Sequence, residues 1–198
     1  MKASSPTTAM MAAIIALALL SGCAHSPPTR YLALNSVPAE AATYAAFTGM
    51  TPIQLTALRI PAQLDRPELV TQPAPNRYAI SETERWAAPL AQLMRAALAR
   101  DLQMRLPDGA LIVPDTPAPK GTRALVVTVI DVDMPAQGEL TLQATWAVAQ
   151  RAPDVVETTG NATLHAPIAG DDAARKAAAL SRALGDLADQ IVSSLPRR

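Results

Sequence analysis

Cys23 is the residue whose surroundings most clearly specify a chemistry. It is the only cysteine in the 198-residue chain, and it follows Leu20-Ser21-Gly22. An aliphatic residue, two small residues and then cysteine form the pattern of a bacterial lipobox. The small residues let the scissile backbone enter a peptidase site, and the thiol is the atom that receives a diacylglyceryl group. Upstream lie Lys2 and an apolar run from Ala9 to Leu20. Twelve residues make about 18 Å of helix, whereas a bilayer core takes about 20 apolar residues to cross. The run therefore reads as the h-region of a signal peptide. A lone cysteine also excludes an intramolecular disulfide and any multi-cysteine metal cluster.

Other reactive side chains are sparse and poorly placed for catalysis. There are two histidines, His25 and His165. His25 falls in a Pro-rich stretch, and His165 falls on the polar face of a strand pattern. No G-x-S-x-G element accompanies them, so a Ser-His-Asp hydrolase is not expected. Asp131 and Asp133 share one strand face and read as solvated carboxylates rather than a hard-cation site. Asp171 and Asp172 read as helix caps. With 17 Lys+Arg against 17 Asp+Glu, the chain has no basic excess to neutralise phosphates, which argues against a nucleic-acid partner.

These assignments divide the chain into residues 1–22 as a lipoprotein signal peptide, 23–30 as the lipidated Cys with a Pro-rich tether, and 31–198 as one domain. Processing would leave 198 less 22, or 176 residues. The expected covalent lipid is a diacylglyceryl group on sulfur with an acyl chain on the new amino group. No other cofactor and no metal is expected. Two or more acyl chains hold a protein stably on a membrane without spanning it. Ala24 after the cysteine, in place of the aspartate of an inner-membrane retention signal, favours the periplasmic leaflet of the outer membrane.

The elements that carry the domain follow from periodicity. Residues 31–34, 53–60, 68–72 and 76–80 read as short strands, with residues 35–50 between the first two as loop. Ser81-Glu82-Thr83-Glu84 fits a capping box opening a helix, whose stripe is Trp86, Leu90, Met94, Leu98 and Leu102; Pro89 places the start nearer Trp86. Pro107-Asp108-Gly109 stops it, and Leu111–Val113 is a short strand. Residues 123–134, 139–150 and 155–166 form an antiparallel meander. The first has apolar residues on both faces, as a doubly covered strand would. In the last, Val156, Ala162 and Leu164 are expected on the core face. A final helix runs from about Asp172 to Leu195, with Ala177, Leu180, Leu184, Leu187, Ile191 and Leu195 on one stripe. This predicts an α+β single-domain sandwich, a mostly antiparallel sheet with two helices packed on one face.

Residues 59–102 also carry a resemblance. Arg59-Ile60-Pro61-Ala62-Gln63-Leu64-Asp65-Arg66-Pro67-Glu68-Leu69-Val70 is similar to the "IP-x-x-LDRPQLV" signature of the PqiC/YmbA family, auxiliary lipoproteins of ABC-type and MCE-type intermembrane transport systems. Arg85-Trp86-Ala87-Ala88-Pro89-Leu90 and Asp101-Leu102 resemble its "N-x-W-A-x-PL" stretch and following "DL". Gly138-Glu139-Leu140-Thr141-Leu142 and Trp146 fit as well. Glu68 departs from the usual glutamine, and Ala88 from a common acidic residue. The resemblance implies a non-enzymatic subunit of a lipid transport system. It would be anchored to the outer membrane through its lipid, would dock a periplasmic MCE-type subunit, and would support membrane integrity. A homo-oligomer is compatible with such a partner. Asp65, Arg66, Pro67, Trp86 and Pro89 would hold the fold or contact the partner. The competing expectation is a stand-alone lipid- or lipopolysaccharide-binding envelope lipoprotein, which needs an apolar groove.

Overall fold

The computed structural model describes residues 27–39, 50–151 and 154–196. Cys23, the signal segment and His25 lie outside them.

Eight strands and two helices are present among the described residues: β1 Arg30–Leu32, β2 Ile53–Arg59, β3 Glu68–Ala74, β4 Arg77–Trp86, α1 Leu90–Arg105, β5 Leu111–Ile112, β6 Arg123–Asp133, β7 Gly138–Arg151, β8 Asp154–Ile168 and α2 Ala173–Ser194. The fold is α+β, as expected. The strands divide into two mixed sheets, a three-stranded one in the order β1-β4-β3 and a five-stranded one in the order β5-β2-β6-β7-β8. The meander β6-β7-β8 is antiparallel, while β2 runs parallel to both β5 and β6, and β1 runs parallel to β4. Periodicity reports faces but not neighbours, so these parallel pairings were not visible in the sequence.

Both helices pack on one face of the larger sheet, α1 against β2 and α2 against β7 and β8. The core between them is aliphatic. Ile53, Leu55, Leu125, Leu140 and Leu142 from the sheet meet Met94, Leu98, Leu102, Leu180, Leu184, Leu187 and Ile191 from the helices, all fully buried. Each such side chain contributes about 1.5–3 kcal/mol by leaving water. The α2 stripe follows the expected spacing, and Asp172 caps the helix by accepting a hydrogen bond from the Ala174 N–H at 2.9 Å.

Three local expectations are corrected. First, Ser81–Glu84 does not open a helix. It lies within β4, where Ser81 Oγ accepts from the N–H groups of Thr83 and Glu84 at 3.3 and 3.0 Å. The register jumps there from Val70↔Ile80 to Glu68↔Arg85, so the hydroxyl closes a bulge with the same local bonds that would cap a helix. Helix α1 starts at Leu90, with Pro89 as N-cap and no side-chain cap. Second, β6 is covered on one face only. Leu125, Val127, Val129 and Val132 are buried, whereas Ile130 is 54% exposed, beside a register shift between Val129 and Asp131. Third, Val156 is exposed. Thr158 pairs with Val148 but Val156 pairs with Ala149, so a bulge at Glu157 inverts the alternation.

Candidate functional site

The signature residues form a corner between β2 and the small sheet. Pro61 bends the chain out of β2, and the N–H groups of Leu64 and Asp65 donate to the carbonyls of Pro61 and Ala62 at 3.0 and 3.3 Å. Leu64 is 5% exposed and pegs the corner into the core, while Asp65, Arg66 and Pro67 face solvent. The Pro67 carbonyl accepts from the Trp86 N–H at 2.7 Å, and Trp86 is buried. Trp86 also pairs with Leu32, and the Ala87 N–H donates to the Leu32 carbonyl. Pro89 is exposed at the head of α1. Trp86 and Leu64 are thus the buried fasteners, and Asp65-Arg66-Pro67 is the displayed edge.

Arg66 does not pair with Asp65. Its Nε contacts Glu68 Oε2 at 3.0 Å, and Arg85 approaches Glu68 Oε1 at 3.7 Å. The Arg66 hydrogen bond holds the Glu68 carboxyl below its usual range, with the charge of Arg85 adding to it. Glu68 therefore couples the corner to β4 through charge.

A second polar cluster, absent from the sequence reading, fixes the segment that follows the tether. Residues 33–39 run along the helix pair. The Asn35 N–H donates to Ser181 Oγ at 3.1 Å and the Val37 N–H to Asp101 Oδ1 at 2.7 Å. Arg100 and Arg105 donate to the carbonyls of Leu34 and Val37 at 3.1 and 3.0 Å. Arg105 also makes a two-pronged contact with Asp189 at 2.7 and 3.0 Å, tying α1 to α2. A Cβ at Gly185 would lie 3.0 Å from that of Val37, so this glycine leaves the seat that Val37 occupies. Asp101 is fully buried; its burial raises the carboxyl pKa, opposed by the Val37 N–H and by the charge of Arg105. The available signal was Asp101 and Arg105 inside an aliphatic helix, and Ser181 and Gly185 on a leucine stripe.

His165 is exposed on β8, with Nδ1 3.2 Å from Thr141 Oγ1 and 3.6 Å from Glu139. Asp131 and Asp133 sit opposite Gln143 and Thr141 on β7. No helix among the described residues is long and apolar enough to cross a membrane. A groove of about 570 Å³ lies between α1 and the β5 loop, lined by Ala96, Ala99, Leu111 and Val113 together with Arg95 and Arg100.

Residues 33–192 match the family of ABC-type transport auxiliary lipoprotein components, and the chain belongs to that family. This makes it a transport-associated lipoprotein of the cell envelope, described as an auxiliary component. The crystal structure of an uncharacterized protein shares the fold at 18% identity with a TM-score of 0.66, covering 84% of this chain and 98% of its own. The crystal structure of protein XCC0632 from Xanthomonas campestris, assigned to DUF330, does so at 15% identity and a TM-score of 0.58, covering 85% and 91%. No curated protein matches.

Proposed function

We propose that the protein is an outer-membrane-anchored subunit of an MCE/ABC-type intermembrane phospholipid transport system. Cys23 carries the lipid, and the domain docks the periplasmic MCE component, alone or as a homo-oligomer, in support of membrane integrity. One observation carries this reading: β1, the strand that the tether leads into, and the signature corner belong to a single structural unit. The chain emerging from the tether enters β1 at Arg30, opposite Glu84; Glu84 is followed by Arg85, which pairs with Glu68 beside the corner. A lipid at Cys23 would hold Asp65, Arg66 and Pro67 near the bilayer, where tethering raises the effective concentration of the docking edge.

The test is fractionation with co-purification. Cys23→Ala should move the protein from the outer membrane to the soluble periplasm. Arg66→Glu should leave the protein folded and at the membrane but reduce recovery of the MCE subunit. Retention of Cys23→Ala at the membrane refutes the anchor, and undiminished recovery with Arg66→Glu refutes the corner as a contact. The alternative, a stand-alone lipid- or lipopolysaccharide-binding protein, draws on the groove between α1 and β5. It requires lipid to co-purify with a chain that recovers no transport subunit.

A further inference from the structure

The outer half of the β3–β4 hairpin is exposed on both faces. Every residue from 73 to 80 faces solvent, and among them Tyr78 and Ile80 are 45% and 49% exposed. Local chemistry sets the turn. Ala74 pairs with Arg77 across Pro75-Asn76, and Asn76 takes a φ of 61°; proline followed by a residue at positive φ is the pattern of a type II turn. The base of the hairpin is tied to the larger sheet, since the Gln72 N–H donates to the carbonyl of Met134, just past β6, at 2.9 Å.

The thirteen residues from Leu69 to Ser81 carry a single charge, Arg77. Arg77 forms no ion pair among the described residues. Asp171 and Asp172, at the head of α2, border the same hollow as Ala79 and Ile80. Both are engaged: Asp171 holds Lys176 Nζ at 3.0 Å, and Asp172 caps α2. The tip thus presents a phenol, aliphatic surface and an unneutralised guanidinium. Tyrosine is favoured where lipid meets water, because its ring is apolar and its hydroxyl is not, and a guanidinium pairs with phosphate.

Chain polarity says what meets this tip. β1 runs parallel to β4, with Arg30 opposite Glu84. The chain therefore enters β1 from the end at which β4 begins, which is the hairpin tip. Tyr78 lies six residues before Glu84, about 20 Å along the strand. Cys23 lies seven residues before Arg30, a reach of about 23 Å, and Pro27 and Pro28 favour an extended path. Cys23 can therefore come level with Tyr78.

We propose that the hairpin tip is a bilayer-contact site, with Tyr78 at the headgroup level and Arg77 on lipid phosphate. This rests on the lipid anchor at Cys23 proposed above and is independent of the MCE partner. The lipid alone limits distance and leaves rotation free; the tip adds a second attachment and sets the orientation. The corner Asp65–Pro67 adjoins Glu68, at the other end of the seven-residue β3, and so stands about 23 Å from the headgroups, turned toward the periplasm. Tyr31, opposite Arg85, lies at that far end too. A symmetric contact between two copies would set Arg77 against Arg77 with no carboxylate from 69 to 81 to separate them. A transport subunit on the tip would have to enter the gap that the short tether leaves above the bilayer.

The experiment uses the acylated chain in vesicles of phosphatidylethanolamine with a minor share of phosphatidylglycerol, with and without bromine on the acyl chains. Bromine quenches an indole at contact, and the native Trp86 and Trp146 are buried and supply a constant background. Tyr78→Trp should lose about half of its added fluorescence in brominated vesicles, as a side chain seated at the headgroup boundary would; Tyr31→Trp should lose none. Adding Arg77→Gln should weaken the docked state about fivefold, the worth of one cationic side chain at an anionic surface. Flotation with the vesicles reports the anchor separately. A chain that floats while Tyr78→Trp stays unquenched overturns the tip and leaves the anchor standing. Equal quenching of Tyr78→Trp and Tyr31→Trp means a sheet lying flat and overturns it as well. In detergent without vesicles, a blue shift of Tyr78→Trp that grows with protein concentration, or that follows addition of the MCE subunit, assigns the tip to a protein surface and overturns it. A chain that carries no lipid and does not float overturns the anchor and the tip together. Should a substitution lower Tm, amide exchange of residues 76–80 in the native chain decides: slowed by vesicles if the tip docks, unchanged if it does not.

Discussion

Gly160→Ala tests how closely β8 packs on the indole of Trp146, which itself reaches α2. Gly160 lies opposite Trp146 across the β7–β8 ladder, and the indole lies over the glycine backbone. A Cβ there would stand 2.2 Å from Trp146 Cζ2 and 2.4 Å from Cε2. Carbon atoms pack at about 3.5–4.0 Å, so the ring must retreat by more than about 1 Å. It has little room: Trp146 is 5% exposed, and its Nε1–H donates to Ser194 Oγ on α2 at 3.0 Å. Overpacking costs about 1–3 kcal/mol and the strained indole bond about 0.5–1.5 kcal/mol, together about 2–4 kcal/mol. At about 2–4 °C per kcal/mol for a domain of this size, Tm falls by roughly 5–15 °C. Urea unfolding followed by far-UV circular dichroism gives the free energy. In a Trp146→Phe background the same alanine should cost less than about 1 kcal/mol, because the smaller ring leaves the site open. A change under about 0.5 kcal/mol in the native background, or strictly additive costs in the double variant, refutes the collision.

The helix clasp supplies two further expectations. Gly185→Leu fills the seat of Val37 and should destabilise by about 2–4 kcal/mol through overpacking and lost hydrogen bonds; the Asn35 and Val37 amides should then exchange rapidly, and their continued protection counts against the clasp. Burial raises the Asp101 carboxyl above its reference of 3.8 despite the Val37 N–H and Arg105. A carboxyl raised in the folded state stabilises fully below its unfolded pKa and progressively less as pH rises through the folded value. Asp101→Asn removes that titration, so wild-type stability minus variant stability should fall from about pH 4 upward; a pH-independent difference refutes the assignment.

What was legible in the sequence depended on how local its cause was. Helix α2 was placed within a residue at each end because one leucine stripe and one capping aspartate act within single turns. The meander was legible because two short turns leave antiparallel pairing as the only reach of the chain. Ser81–Glu84 misled because a hydroxyl bonding to N–H groups two and three residues on is the same chemistry in a helix cap and in a strand bulge; only the partner strand β3 distinguishes them. Val156 was misplaced because a single extra residue in β8 inverts the alternation, and a bulge leaves no mark on composition. The clasp on residues 33–39 joins positions 64 to 146 residues apart, so no window contained it. Of the signature residues, Trp86 proved buried and Asp65, Arg66 and Pro67 exposed, a division their identities suggest. The preference of Arg66 for Glu68 arises from the corner geometry itself.

The clasp and the corner together bear on how the anchor would act. From Cys23 to Arg30 is seven residues, about 23 Å if fully extended. Between Arg30 and Val37 the chain is held at both ends, since β1 is laddered to β4 and residues 34–37 are held by Ser181, Asp101, Arg100 and Arg105. Pull on the tether would therefore load two helices and the small sheet at once instead of peeling a frayed terminus. A lipid at Cys23 would keep the domain within that short reach of the bilayer while leaving it free to rotate. A partner bridging the envelope must then come to the membrane to bind. Lengthening the tether by about ten flexible residues should thus weaken recovery of the MCE subunit without changing the stability of the domain; a recovery independent of tether length would mean that the contact is strong enough not to need the membrane.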